Sequence, residues 1–217
     1  MVAGPIDVII RKYVAPAAKQ AGLSRKGRYF RLEGRYSHTL LYFDTHATDP
    51  SWLCFEVGYA LLPLAYWDFC RRLYQGGGGP TEPGKESIFL DTHLMPPDEW
   101  SFRPDERPPY TFKRRWALGL PAGLEPAGTA LAGRLTEEAF PRMHWLLDPD
   151  NAMAELKTPT FAIEQALGSD LDRELILAID VADPAYVEAL LNDPARPQNP
   201  VFEASVRERF ARRMASE

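Results

Sequence analysis

His38, Asp44, His46, Asp91 and His93 are the residues whose types and spacing could do chemistry. Imidazoles and carboxylates are the common ligands of divalent metals and the common general acids and bases. His38 and Asp44 share parity along one strand-like run, and His46 continues it. Asp91 and His93 share parity at the end of another run. Side chains alternate across a strand, so neighbouring strand ends would gather all five into a site for a metal or for proton transfer. Their spacings match no established ligand motif, and histidines at strand ends commonly cap turns. The group is therefore expected not to hold a tightly bound metal, and a metal-dependent hydrolase using this His/Asp cluster stands as the alternative reading.

Other motifs fare worse. Gly79-Pro80-Thr81-Glu82-Pro83-Gly84-Lys85 satisfies Gly-x4-Gly-Lys, but Glu86 stands where a phosphate loop needs Ser or Thr for magnesium. A helical pattern precedes this loop and a strand pattern follows it, the reverse of the required order. No nucleophile elbow supports Ser/His/Asp catalysis. Cys54 and Cys70 lie in apolar company and are expected to be buried free thiols. Carboxylate pairs such as Asp170/Asp172 and Glu137/Glu138 suit helix caps and solvated faces. No residue is assigned a catalytic role, and no motif implies a cofactor.

The elements that must position these residues are legible from periodicity. Arg28–Leu32, Ser37–Asp44 and Trp52–Tyr59 read as three strands of an antiparallel meander, rich in aromatic and β-branched residues and bounded by turns. Glu33-Gly34-Arg35 reads as a tight hairpin turn, with Gly34 free to take positive φ. Leu41/Phe43 and Leu53/Phe55/Val57 form apolar faces for the core, and the opposite, mixed faces are expected to be partly wet. Ser87–Thr92 and Tyr110–Leu118 read as fourth and fifth strands. Helices are expected over Pro5–Ala21, with a kink or break near Ala15 caused by Pro16, and over Pro63–Tyr74. Gly119–Gly128 reads as a loop. Beyond it the pattern is helical: Thr129–Leu147 with a break at Pro141, a short helix capped by Asp150, Ala162–Leu167, Leu171–Val181, a helix opened by Asp183-Pro184, and a last one with Phe202, Val206, Phe210 and Met214 at intervals of four. The expected fold is α+β: an antiparallel sheet of about five strands over residues 1–118 carrying two helices, then a helical part over 119–217.

One block resembles a known family. The first helix is followed by Gly22-Leu23-Ser24-Arg25-Lys26-Gly27-Arg28-Tyr29-Phe30-Arg31, then a strand closing on Phe55-Glu56-Val57-Gly58. This is similar to the bacterial domain of unknown function 4304, with Leu23 where that pattern has Phe and Glu56 where it has Asn. The resemblance covers the first third and implies a small α+β fold with Gly22 at a helix C′ position; it brings no activity and no catalytic residues.

Composition narrows the partners. The net charge is −5, unevenly spread: residues 1–75 hold ten Lys/Arg against six Asp/Glu (+4), and 76–217 hold fifteen against twenty-four (−9). An acidic total disfavours nucleic acid, although Tyr29, Phe30 and Tyr36 lie among arginines. No apolar run approaches a membrane span, and no basic n-region or long apolar stretch marks a secretory signal, so the expected location is cytoplasmic. Abundant Arg, Ala and Pro suit a GC-rich bacterial genome. The function expected is a non-catalytic protein-binding module, one form of which is an immunity-type protein that neutralises a toxin. The Pro-rich, acidic segment 96–109 and the strand after it supply the aromatic anchors Trp100, Phe102 and Tyr110 for a partner protein. The sequence leaves the oligomeric state open.

Overall fold

The structure, a computed structural model, describes residues 4–46, 51–74, 81–101, 114–160, 164–165, 167 and 169–216. It is an α+β fold built on an antiparallel sheet. The strands are β1 (Ser24–Lys26), β2 (Tyr29–Glu33), β3 (Ser37–Thr45), β4 (Trp52–Pro63), β5 (Leu90–His93), β6 (Arg115–Gly119) and β7 (Glu164–Gln165). They run in the order β1-β2-β3-β4-β5-β7, with β6 also paired to β4. β4 can hold both β5 and β6 in addition to β3 because it is twelve residues long. Residues Trp52–Glu56 pair with β6, and its later carbonyls, Val57 O and Leu61 O, accept from Leu94 N and Phe89 N.

The chain divides into two compact units, each assembled from three separate stretches: 1–32, 40–59 and 92–144 in unit 1, and 33–39, 60–91 and 145–217 in unit 2. The linear division expected at 118/119 separates sheet-rich from helix-rich sequence, whereas the compact units interleave along it.

In unit 1, one parity of the strands makes the core: Leu41, Phe43, Leu53, Phe55, Val57, Trp116 and Leu118 are all buried against helical residues. The first helical stretch runs as α1 (Pro5–Ile9), a π turn (Ile10–Val14) and α2 (Ala15–Gln20). Pro16 thus neither breaks nor ends it. A proline ring clashes with the carbonyl four residues back, here that of Lys12, and the wider π turn is centred there. The same solution recurs at Pro141. There α4 (Leu124–Arg134) leads through a π turn (Leu135–Ala139) centred on Glu137 into α5 (Phe140–Leu146). The extra residue moves the buried stripe along by one. Ile6, Ile9, Ile10, Val14 and Ala18 are buried, while Tyr13, Ala17 and Ala21 lie at the margin of that stripe.

Gly22 does occupy C′, with φ of 83°. Its N–H donates to Lys19 O and that of Leu23 to Ala18 O, the two bonds of a Schellman motif. Gly34, by contrast, is not at positive φ; an added Cβ there would sit 2.7 Å from Ser37 O, so close approach is what its position requires.

Unit 2 packs α3 (Leu64–Leu73), α6 (Pro149–Lys157), α7 (Asp170–Ala178), α8 (Pro184–Leu191) and α9 (Pro200–Met214) around Phe69, Phe89, Ile176 and Phe202. Ser169 Oγ caps α7 at Asp172 N, and Leu175–Ala178 is helical rather than a strand. Asp183 caps α8 as expected, with Pro184 at the first position. Asp148, not Asp150, caps α6, accepting from Asp150 N and Asn151 N. Two further expectations are corrected. Leu124 to Gly128 belong to α4 rather than to a loop. Glu164–Gln165, expected within a helix, pairs with Leu90 and Asp91 as β7. A pairing partner overrides the weak helical spacing of so short a run.

Candidate functional site

The most concentrated chemistry in unit 1 lies on the second parity of the strands. Glu56 points from the middle of β4, opposite Arg115 of β6. Arg115 Nε donates to Glu56 Oε1 at 3.1 Å, a cross-strand opposite-charge pair. His46 follows β3 and brings Nε2 to 3.2 Å from the same oxygen, within ion-pair distance but outside hydrogen-bond geometry. His93, the last residue of β5, places Nε2 3.5 Å from Glu56 Oε2. Its other nitrogen, Nδ1, is 3.3 Å from an Arg114 guanidinium nitrogen. A guanidinium can only donate, so Nδ1 accepts and Nε2 carries the hydrogen that faces Glu56. The Glu56 side chain is 15% exposed, His93 11% and His46 30%.

Tyr42 completes the arrangement. Its ring meets His93 edge to face, with centroids 6.4 Å apart. It lies across Gly58, where a Cβ would come within 2.1 Å of Cζ. Gly58 is therefore required for the tyrosine to lie flat. This explains why the mixed face is less wet than expected: Leu40, Tyr42 and Cys54 are buried, and only Trp52 is well exposed among the β4 residues of this parity. Burial pushes the Cys54 thiol up, with Glu56 adding to it and Arg115 opposing. Burial likewise pushes Cys70 up to about 11. Both cysteines are free, and such thiols stay protonated and unreactive.

Of the residues singled out from sequence, His46 and His93 meet at one carboxylate. Asp44 lies half-buried in β3 of the same unit. His38 and Asp91 belong to unit 2. Among the described residues no group of three or more His, Cys, Asp or Glu side chains is placed to hold a metal ion. Trp100 ends a 3-10 turn (Asp98–Trp100), is half-buried and packs against the unit 1 core. Phe102 and Tyr110 lie outside the described residues, as do residues 76–80 of the glycine-rich loop.

Glu56, Arg114, Arg115 and Tyr42 were not anticipated as site residues. The signal was there for Glu56: a lone carboxylate in the middle of Leu-Cys-Phe-Glu-Val-Gly-Tyr-Ala is costly unless its partners are supplied. Comparison with protein-family models, with curated proteins and with solved structures finds no match. Among the described residues no helix is long and apolar enough to cross a membrane.

Proposed function

We propose that this protein is a non-catalytic protein-binding module, and that the face of β4 and β6 bearing Trp52, Glu56 and Arg115 is its docking surface. The observation that carries this reading is Trp52. This residue is 52% exposed at the start of β4, on the same parity as Glu56. An exposed tryptophan on a strand face that also carries a carboxylate already paired across strands with an arginine has the composition of interface hot spots, where aromatic area and pre-ordered polar groups bind at low entropy cost.

Two observations favour binding over hydrolysis. A general base needs a free lone pair aimed at substrate, whereas the Glu56 oxygens face Arg115, His46 and His93. A thiol nucleophile must ionise, and both cysteines are held in the opposite direction. Trp52→Ala tests the reading. Captured from lysate of the source cell, the binding partner of the wild-type chain is expected to be lost by the variant, with the melting temperature unchanged. Retention of every wild-type partner by a folded Trp52→Ala chain would remove this face as the docking surface.

A further inference from the structure

Unit 2 holds a surface cavity of about 480 Å3 lined by Arg35, Tyr36, Asp68, Asp180, Arg209, Arg212, Arg213 and Ser216. Its guanidiniums outnumber its carboxylates four to two. The two carboxylates are already engaged. Asp180 takes Arg209 Nε and Nη2 on its two oxygens, both at 2.7 Å. Asp68 accepts from Arg209 at 2.7 Å and from Arg212 at 3.0 Å. Arg213 is turned onto main chain, donating to Ile179 O and Ala182 O. What the acids leave over is concentrated in two exposed side chains. Arg212, which also lies 4.0 Å from Glu208, is 54% exposed. Arg35 is exposed, rests 4.9 Å over the Tyr36 ring, and among the described residues meets no carboxylate.

The geometry points to a binding site for a phosphate monoester. The cavity lies in the size range of small-molecule sites. A monoester carries nearly two negative charges at neutral pH and presents three acceptor oxygens, matching a surplus of two cations, where a single carboxylate would satisfy one. Guanidiniums bind such oxygens in pairs of parallel hydrogen bonds. Arg209 serves as the fixed floor: burial works against its charge, but Asp180 and Asp68 outweigh that and hold its guanidinium charged above its ordinary range. The C-terminal partial charge of α9, about half an elementary charge, offsets only part of the surplus. This inference stands on unit 2 alone and is independent of the docking surface in unit 1.

The phosphate has two sources, a free phosphorylated metabolite or a phosphorylated side chain, and one titration separates them. The full chain is titrated with O-phosphoserine and with a phosphoserine peptide, by calorimetry and by amide NMR, with succinate as the carboxylate control at equal ionic strength. Saturable binding is expected, with shifts at Arg35, Tyr36, Arg212 and Ser216. Affinity should fall about tenfold in Arg35→Gln, fall further in Arg35→Gln/Arg212→Gln, and be largely kept in Arg35→Lys, with unchanged melting temperatures. Tighter binding of the peptide assigns the phosphate to a protein; equal or tighter binding of phosphoserine assigns it to a metabolite. Absence of saturable binding, equal affinity in Arg35→Gln, or equal binding of succinate overturns the site.

Discussion

Unit 1 and unit 2 each contain a polar hub, and the two hubs are of opposite sign. In unit 1 a carboxylate, Glu56, sits among Arg115, His46 and His93. In unit 2 a guanidinium, Arg209, sits among Asp68 and Asp180. The lesson lies in the partners. Carboxylates and guanidiniums keep their charges across neutral pH, so the second hub is a fixed strut. In the first hub His46 Nε2 lies within ion-pair distance of Glu56 but outside hydrogen-bond geometry, so that hub is tied less tightly. A strut suits scaffolding; a more loosely tied cluster on a strand face that also bears an exposed tryptophan suits recognition.

The hardest blow to the unit 1 side of this comparison is Phe55→Ala. Phe55 is fully buried, stacked on Trp116 at 6.1 Å and near Phe43 at 6.4 Å. Its loss should cost about 3–5 kcal/mol, read as accelerated amide exchange in β4 and β6. Unchanged protection there would mean that the assigned strand faces are wrong.

Next comes a matched pair of hub deletions. Arg209→Met leaves Asp180 without its partner and should cost about 2–4 kcal/mol in a denaturant melt, most of it the penalty of a stranded, largely buried charge. Glu56→Gln keeps the shape and an acceptor oxygen, and should cost only about 1 kcal/mol. Equal costs would erase the distinction between strut and cluster.

The smallest effect is acid sensitivity. In unit 2, burial works against the charge of Glu203, but Arg196 and Arg207 outweigh it and hold the carboxyl below its ordinary range. Glu174 is held low in the same way by Lys157 and Tyr186. A carboxyl lowered in the folded state stabilises above its unfolded value, about 4.3 for Glu, and that contribution is lost as pH falls through the lowered folded value. Asp172 has the opposite sign: burial raises it despite Arg196, so its folded-state penalty disappears on protonation. Amide exchange in α7 and α9 should thus quicken mainly below about pH 4.3, and Glu203→Gln should flatten that slope. A slope confined to pH 6–7 would point to imidazoles instead.

Much of the architecture was legible because strands and caps are local. The alternation of Leu53, Phe55 and Val57, the Ser169 and Asp183 caps and the Schellman glycine all follow from neighbours in sequence. What escaped was set by distant pairing. β7 exists because Leu90 and Asp91 offer Gln165 and Glu164 a partner, and no two-residue pattern announces that. His46 and His93 were found by residue type, but their meeting point needed the β4–β6 register to place Arg115 opposite Glu56. His38 and Asp91 matched by parity alone, and parity fixes a face without saying which strand ends are neighbours.

The paired π turns have a consequence for how this chain can change. Each is a helix carrying one residue more than its hydrogen bonds need, centred four positions before a proline. The surplus residue and the proline are therefore partners in inheritance. Deleting one residue from Ile10–Val14 alone would drive the ring of Pro16 into a regular helix, while replacing Pro16 alone would leave a widened turn with nothing to accommodate. Made together, the two changes give an ordinary helix. A lineage would cross between the two forms by a compensated double step, with indels in these helices appearing beside the loss or gain of a proline.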